Sequence, residues 1–211
     1  MIDDLNLFAT QFVTLWVVIE PISHLSMFLS ATGHLTAAER RRTATLALFF
    51  AFLLLVVFAL AGRALLDAMG ISIISFQIAG GIVLFLFALT MIFTDGADHG
   101  PVEGGEARSL TAIAVYPVAI PILAGPGAIL SVVLFSDNNR GSLEGQVLSL
   151  VALAAMMIVL LAVFWAGDLI RRLLGEGGTS LMRRVMGLLL AALSVNLVLN
   201  ALQIWLGLPP I

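Results

Sequence analysis

Apolar residues run along this chain in six long stretches separated by short polar punctuation. Five of them, residues 43–62, 68–94, 109–136, 145–167 and 185–211, contain no Asp, Glu or Arg. A sixth, residues 5–31, is apolar apart from Glu20 and His24. A bilayer hydrocarbon core about 30 Å thick is crossed by roughly 20 helical residues, and each stretch is long enough. The runs are too long and apolar for soluble core helices, and too rich in Leu, Ala and Phe for barrel strands. The pattern predicts an all-α membrane protein in which six transmembrane helices form a single transmembrane domain over residues 1–211.

Composition narrows the class further. Hydrophobic residues make up 61% of the chain and charged residues 11%, against about 25% charged in a typical soluble domain. Mean hydropathy is +1.11. One soluble core could not hide that much apolar surface. The net charge of −3 leaves no basic face for nucleic acid. Cys is absent, which excludes disulfides, thiolate metal sites and thiol relays. Lys is absent too, and no Arg precedes Arg40, so no cleavable signal peptide is expected.

Arginine placement predicts orientation. Arg40, Arg41, Arg42, Arg108, Arg171, Arg172, Arg183 and Arg184 fall on one side of a six-helix arrangement, and only Arg63 and Arg140 on the other. Positive loops stay in the cytoplasm. Both termini are therefore expected outside it, with the Gly- and acid-rich stretch 95–108 as a cytoplasmic connector.

Self-comparison adds an internal repeat. At an offset of 105, Pro21 meets Pro126, Gly62 meets Gly167 and Gly70 meets Gly175; at 106, Gly81 meets Gly187. The halves run over about 5–94 and 109–206. Each would hold three helices, so the second enters the membrane from the opposite side. That makes two inverted three-helix repeats, an architecture in which solute sites lie near the midplane at discontinuous helices.

The repeat-matched prolines mark such discontinuities. Pro21 and Pro126 lie at similar depths in helices one and four, so both helices are expected to break near mid-membrane. Pro121 and the Gly125-Pro126-Gly127 triplet reinforce the second break. Such breaks persist in hydrocarbon only inside protein or beside water. Glu20 is the only acid inside a span, where a charge costs on the order of 2.5–3.5 kcal/mol on insertion scales. His24 follows four residues later, on the same face of a continuous helix. The pair is placed to share a proton or an ion; a neutral Glu20 bonded to freed backbone accounts for it as well. Ser23 lies beside them. Gln77 precedes Gly81 in helix three. Asn196, Asn200 and Gln203 share one face of helix six, expected to point inward; interhelical hydrogen bonding explains these amides as well as solute contact does. Ala79-Gly80-Gly81 points to close backbone approach. No catalytic residues, metal site or cofactor are predicted.

Three segments resemble the MarC-type integral membrane proteins. The stretch Ala114-Val115-Tyr116-Pro117-Val118-Ala119-Ile120-Pro121-Ile122-Leu123-Ala124-Gly125-Pro126-Gly127-Ala128-Ile129 looks like that family's central motif. Phe76-Gln77-Ile78-Ala79-Gly80-Gly81-Ile82-Val83-Leu84-Phe85 resembles its helix-three motif, and Arg183-Arg184-Val185-Met186-Gly187-Leu188-Leu189 the start of its last helix. In helix one, where the family typically shows Asp-Pro-Ile-Gly-Asn, this chain has Glu20-Pro21-Ile22-Ser23-His24. The resemblance implies a bacterial or archaeal inner-membrane protein, and some relatives are described as neutral amino-acid transporters.

The expected function is gradient-coupled secondary transport, as export or uptake, of a small polar solute such as a neutral amino acid. The candidate solute or ion site comprises Glu20, Pro21, Ser23, His24, Gln77, Pro121, Gly125, Pro126, Gly127 and Asn196. No P-loop is present, so coupling would be to a proton or cation gradient. A passive channel using the same cavity is the alternative; an intramembrane enzyme would have only Glu20 with His24 to work with. Partners are the lipid bilayer and the solute, with homo-oligomers permitted by apolar outer faces.

Overall fold

A computed structural model describes residues 2–93 and 109–209. The connector expected at 95–108 lies outside the described residues. The order is α1 (Ile2–Ile19), α2 (Pro21–Ala31), α3 (Ala37–Ala68), α4 (Ile73–Phe93), α5 (Leu110–Ile113), an irregular wound stretch (Ala114–Leu123), α6 (Pro126–Asn138), α7 (Leu143–Trp165) and α8 (Gly167–Leu206).

Local sequence explains the starts. Thr36 and Glu39 form a reciprocal capping box on α3: the Glu39 N–H donates to Thr36 Oγ1 at 3.4 Å and the Thr36 N–H donates to Glu39 Oε2 at 2.9 Å. Ser142 caps α7 by accepting from the Gly145 N–H at 3.0 Å. α8 ends on Gly207, whose φ of 66° is the left-handed conformation that closes helices.

Four helices cross a bilayer by length and composition: α3, α4, α7 and the Gly177–Leu206 portion of α8. The bent pair Asp4–Ile19 and Pro21–Ala31 makes a fifth if counted as one span. The sixth expected span, 109–136, is not a single helix. α5, the irregular stretch and α6 divide it, with extended backbone at Tyr116 (φ −135°, ψ 122°) and Ile120 (φ −130°, ψ 124°). Two boundaries also differ from expectation. α3 and α8 continue through Arg40–Arg42 and through the 171–184 arginines, since a helix need not end at the hydrocarbon edge where long cationic side chains can keep their charge in water. Gly175 (φ 63°, ψ −179°) bends α8.

α3 carries ion pairs near both ends. Arg40 meets Asp168 at the start of α8 at 2.7 Å, and Arg63 meets Asp137 at the end of α6 at 2.9 Å. Arg40 and Arg63 are roughly 35 Å apart along a helix rising 1.5 Å per residue, about one bilayer. Between them, α1 packs on α7 and the irregular stretch packs on α3. Phe28 of α2 stacks on Phe164 of α7 with ring centroids 4.5 Å apart.

α4 and α8 share the longest interface, closed by glycines. A Cβ on Gly81 would sit 3.1 Å from the Ser194 carbonyl and 2.7 Å from Val198 Cγ2; one on Gly187 would sit 3.2 Å from the Ala88 carbonyl and 3.0 Å from Ile92 Cγ1. The same offset of 106 that relates Gly81 to Gly187 relates Ala88 to Ser194 and Ile92 to Val198. Gly70 and Gly175, matched at 105, both have positive φ, 69° and 63°.

Candidate functional site

Four X-Pro steps interrupt the first and fourth expected helices, and one steric rule governs the three with trans peptide bonds, Tyr116-Pro117 being cis. A proline Cδ crowds the preceding residue out of the right-handed helical region. Ile120 and Gly125 (φ −73°, ψ 171°) respond by extending, and Tyr116 is extended as well. Glu20 instead adopts φ 49°, ψ 74°, the only positive φ of a non-glycine among the described residues. Such a conformation costs about 1–3 kcal/mol and persists only where its surroundings enforce it.

Glu20 is a one-residue joint. Its N–H completes the α1 ladder by donating to the Trp16 carbonyl at 3.0 Å, and its carbonyl opens α2 by accepting from the His24 N–H at 3.2 Å. The axes bend by 41° there. The last carbonyls of α1 are left without a following turn, and the His24 imidazole lies against that of Ile19. The Glu20 side chain is 1% exposed. Ser23 on α2 and Arg183 on α8 are its nearest polar and charged neighbours among the described residues. Yet neither carboxylate oxygen has a partner in hydrogen-bonding geometry among the described residues, and neither does His24 Nδ1.

The second break comes to the first. Gly127, in the opening turn of α6, is buried against Leu84 of α4 and Val18 of α1; a Cβ there would fall 2.8 Å from Val18 Cγ1. Val18 stands two residues before Glu20. The start of α6 therefore lies beside the last turn of α1, α1 packs on α6, and α2 packs on the irregular stretch. Pro21 is buried, Ser23 and Gly125 are half-buried, and Pro126 is exposed.

Other expected residues sit elsewhere. Gln77 donates from Nε2 to the Leu197 carbonyl of α8 at 2.9 Å, an interhelical bond. Pro121 contributes the break at Ile120 before it. Asn196 and Asn200 are exposed on α8 rather than turned inward. A cavity of about 100 Å³ among α3, α6 and α7, lined by Ala59, Val132, Phe135 and Leu153, touches none of the expected residues. Among the described residues no three His, Asp or Glu side chains gather as metal ligands.

The sequence pattern missed Arg183 as a neighbour of Glu20, having used it only for orientation. It also missed Gln11. This amide is 3% exposed and donates to Ser149 Oγ at 2.9 Å; a lone Gln in an apolar run was the available signal.

The paired breaks lie in the segments whose motifs carry the family resemblance, and the family model for the MarC family integral membrane proteins matches residues 5–206. The chain belongs to the MarC family. It is similar to a UPF0056 membrane protein of Buchnera aphidicola subsp. Schizaphis graminum, 33% identical over 92% of this chain and 90% of the relative. It is equally similar to a UPF0056 membrane protein of Aquifex aeolicus, 33% identical over 93% of this chain and 92% of the relative. The UPF0056 inner membrane protein YhgN of Escherichia coli is 30% identical over 92% of this chain and 95% of the relative. No solved structure matches the chain. MarC membership and the apolar spans make this an integral membrane protein of a family found in bacteria and archaea.

Proposed function

We propose that this MarC-family protein is a secondary transporter, not an enzyme, and that it moves a small polar solute such as a neutral amino acid across the inner membrane, in or out, on an ion gradient. One observation carries the proposal: at the first helix break, beside the start of α6, both oxygens of a buried carboxylate and the Nδ1 of a buried imidazole lack hydrogen-bond partners among the described residues. Groups of that kind are costly in lipid and persist where they meet water, one another or a solute. The N-terminus of α6 offers backbone N–H groups and a positive dipole end to a carboxylate. Glu20 offers the opposite charge to an ammonium or coupling cation. Together they suit a zwitterion.

The reading includes two inverted repeats of three helices each in one domain, with both termini outside the cytoplasm. Its support is the reciprocal α4–α8 contact pattern, in which each close approach recurs 106 residues later with the roles of the helices exchanged. The matched left-handed glycines at 70 and 175 add to it.

The test is counterflow and gradient-driven uptake in proteoliposomes, with neutral amino acids as solutes. Wild-type protein should show saturable exchange. Glu20→Gln keeps size and hydrogen bonding but removes the titratable charge, and should abolish gradient-driven accumulation in a folded protein. Non-saturable flux would make the protein a facilitator. Normal accumulation by Glu20→Gln, with unchanged dependence on pH and cations, would sink the mechanism.

A further inference from the structure

Two primary amides stand on the outer surface of a membrane helix. Asn196 and Asn200 are exposed on α8, one turn apart, and no hydrogen bond within the described residues engages either side chain. Asn196 lies twelve residues beyond Arg184, roughly 18 Å along the axis at 1.5 Å per residue. If the arginines mark the membrane surface, it stands near the middle of a hydrocarbon layer about 30 Å thick. Asn200 is about 6 Å further along. Lipid tails can neither donate to nor accept from these groups, and an unmet polar group in hydrocarbon is expensive.

The residues around them form a stripe. Val185, Leu189, Ala192, Asn196 and Leu199 recur at spacings of three and four and are all exposed, the period of a helix–helix seam. Ala192 sits one turn before Asn196, and a small residue there lets a second backbone approach closely. A primary amide carries both donors and an acceptor. It is therefore complementary to its own copy across a two-fold axis, where the same patch meets itself.

We propose that the Ala192–Asn196–Asn200 face of α8 docks the same face of a second copy of this chain, with the asparagines bonding across the interface at mid-membrane. This inference is independent of what the protein transports.

The chain contains no cysteine, so single-cysteine crosslinking in liposomes is clean. Ala192→Cys should yield a disulfide-linked dimer under mild oxidation. Phe49→Cys on α3, a site 60% exposed but outside the stripe, should not. Asn196→Leu with Asn200→Leu should weaken dimerisation, followed by single-molecule photobleaching across protein-to-lipid ratios, about tenfold, the change that about 1.4 kcal/mol produces. The proposal is overturned if wild-type protein stays monomeric at the highest density, or if the double variant dimerises as wild type does. Equal crosslinking at positions 49 and 192 overturns it as well. So does a crosslink from position 192, in native membranes, only to a protein of different mass, which would assign the face to another partner.

Discussion

Gly81→Ala places one methyl group at the tightest point of the α4–α8 interface. The new Cβ would meet Val198 Cγ2 at 2.7 Å and the Ser194 carbonyl oxygen at 3.1 Å, where ordinary contact begins near 3.4 Å. Val198 can turn away, but the carbonyl belongs to the α8 backbone, so the helices must part by a few tenths of an ångström. Overpacking of this kind costs about 1–3 kcal/mol. Replacing a mid-helix glycine by alanine returns about 0.5–1 kcal/mol, leaving a net loss of roughly 1 kcal/mol, or roughly 2–4 °C in Tm at this chain length. Gly187→Ala should lose a similar or slightly smaller amount, since its carbonyl neighbour, Ala88, is at 3.2 Å. Gly177→Ala, also in α8, has nothing within 4 Å of the added methyl and should gain about 0.5–1 kcal/mol. Reversible unfolding in detergent micelles reads all three. If Gly81→Ala gains as much as Gly177→Ala, α4 and α8 do not approach as described, and the reciprocal contacts lose their meaning.

Other consequences are as direct. Thr36→Ala removes the α3 cap and should cost about 1 kcal/mol at neutral pH. Hydrogen bonds with Thr36 hold the Glu39 carboxyl below its ordinary 4.5, so wild-type protein should lose that stabilisation as pH falls through and below this range; the variant should lack that acid-side loss in unfolding scans. Phe28→Leu breaks the stack on Phe164 and should cost about 0.5–1.5 kcal/mol beyond its packing loss, measurable by the same unfolding assay. A phosphatase fusion at the C-terminus should be active outside the cytoplasm and a fluorescent-protein fusion dark; the reverse would refute the orientation.

The sequence made some of this site visible and hid the rest for identifiable reasons. Glu20-Pro21 and Gly125-Pro126-Gly127 stood out because proline and a charge are rare inside apolar runs. Their adjacency, through Gly127 against Val18, depends on packing and has no local signature. Helix four was expected to break at its prolines near mid-membrane, and the backbone extends before Pro121 and Pro126 as that predicts, and at Tyr116 as well. The left-handed backbone of Glu20 was not legible, since that region is ordinarily left to glycine. Periodicity put Asn196 and Asn200 on one face correctly, yet a period cannot say which side that face turns. Arg183 counted only toward orientation, and it comes within electrostatic range of Glu20 because α8 packs against α1 and α2.

The break at Glu20 also bears on how the protein enters the membrane. α2 has 11 residues, about 16 Å of helix, so it reaches only halfway across the hydrocarbon. The insertion machinery meets α1 and α2 as one segment with a carboxylate at its centre and a bend beside it, a weak candidate for stable integration by itself. The elements packed around the joint, α6 against Val18 and α8 against α1 and α2, are synthesised more than 100 residues later. The α1–α2 segment is therefore secured only after α6 and α8 have been made. A chain truncated before α6 should leave its N-terminal segment loosely held and exposed to membrane proteases, so biogenesis of this protein is completed from its C-terminal half.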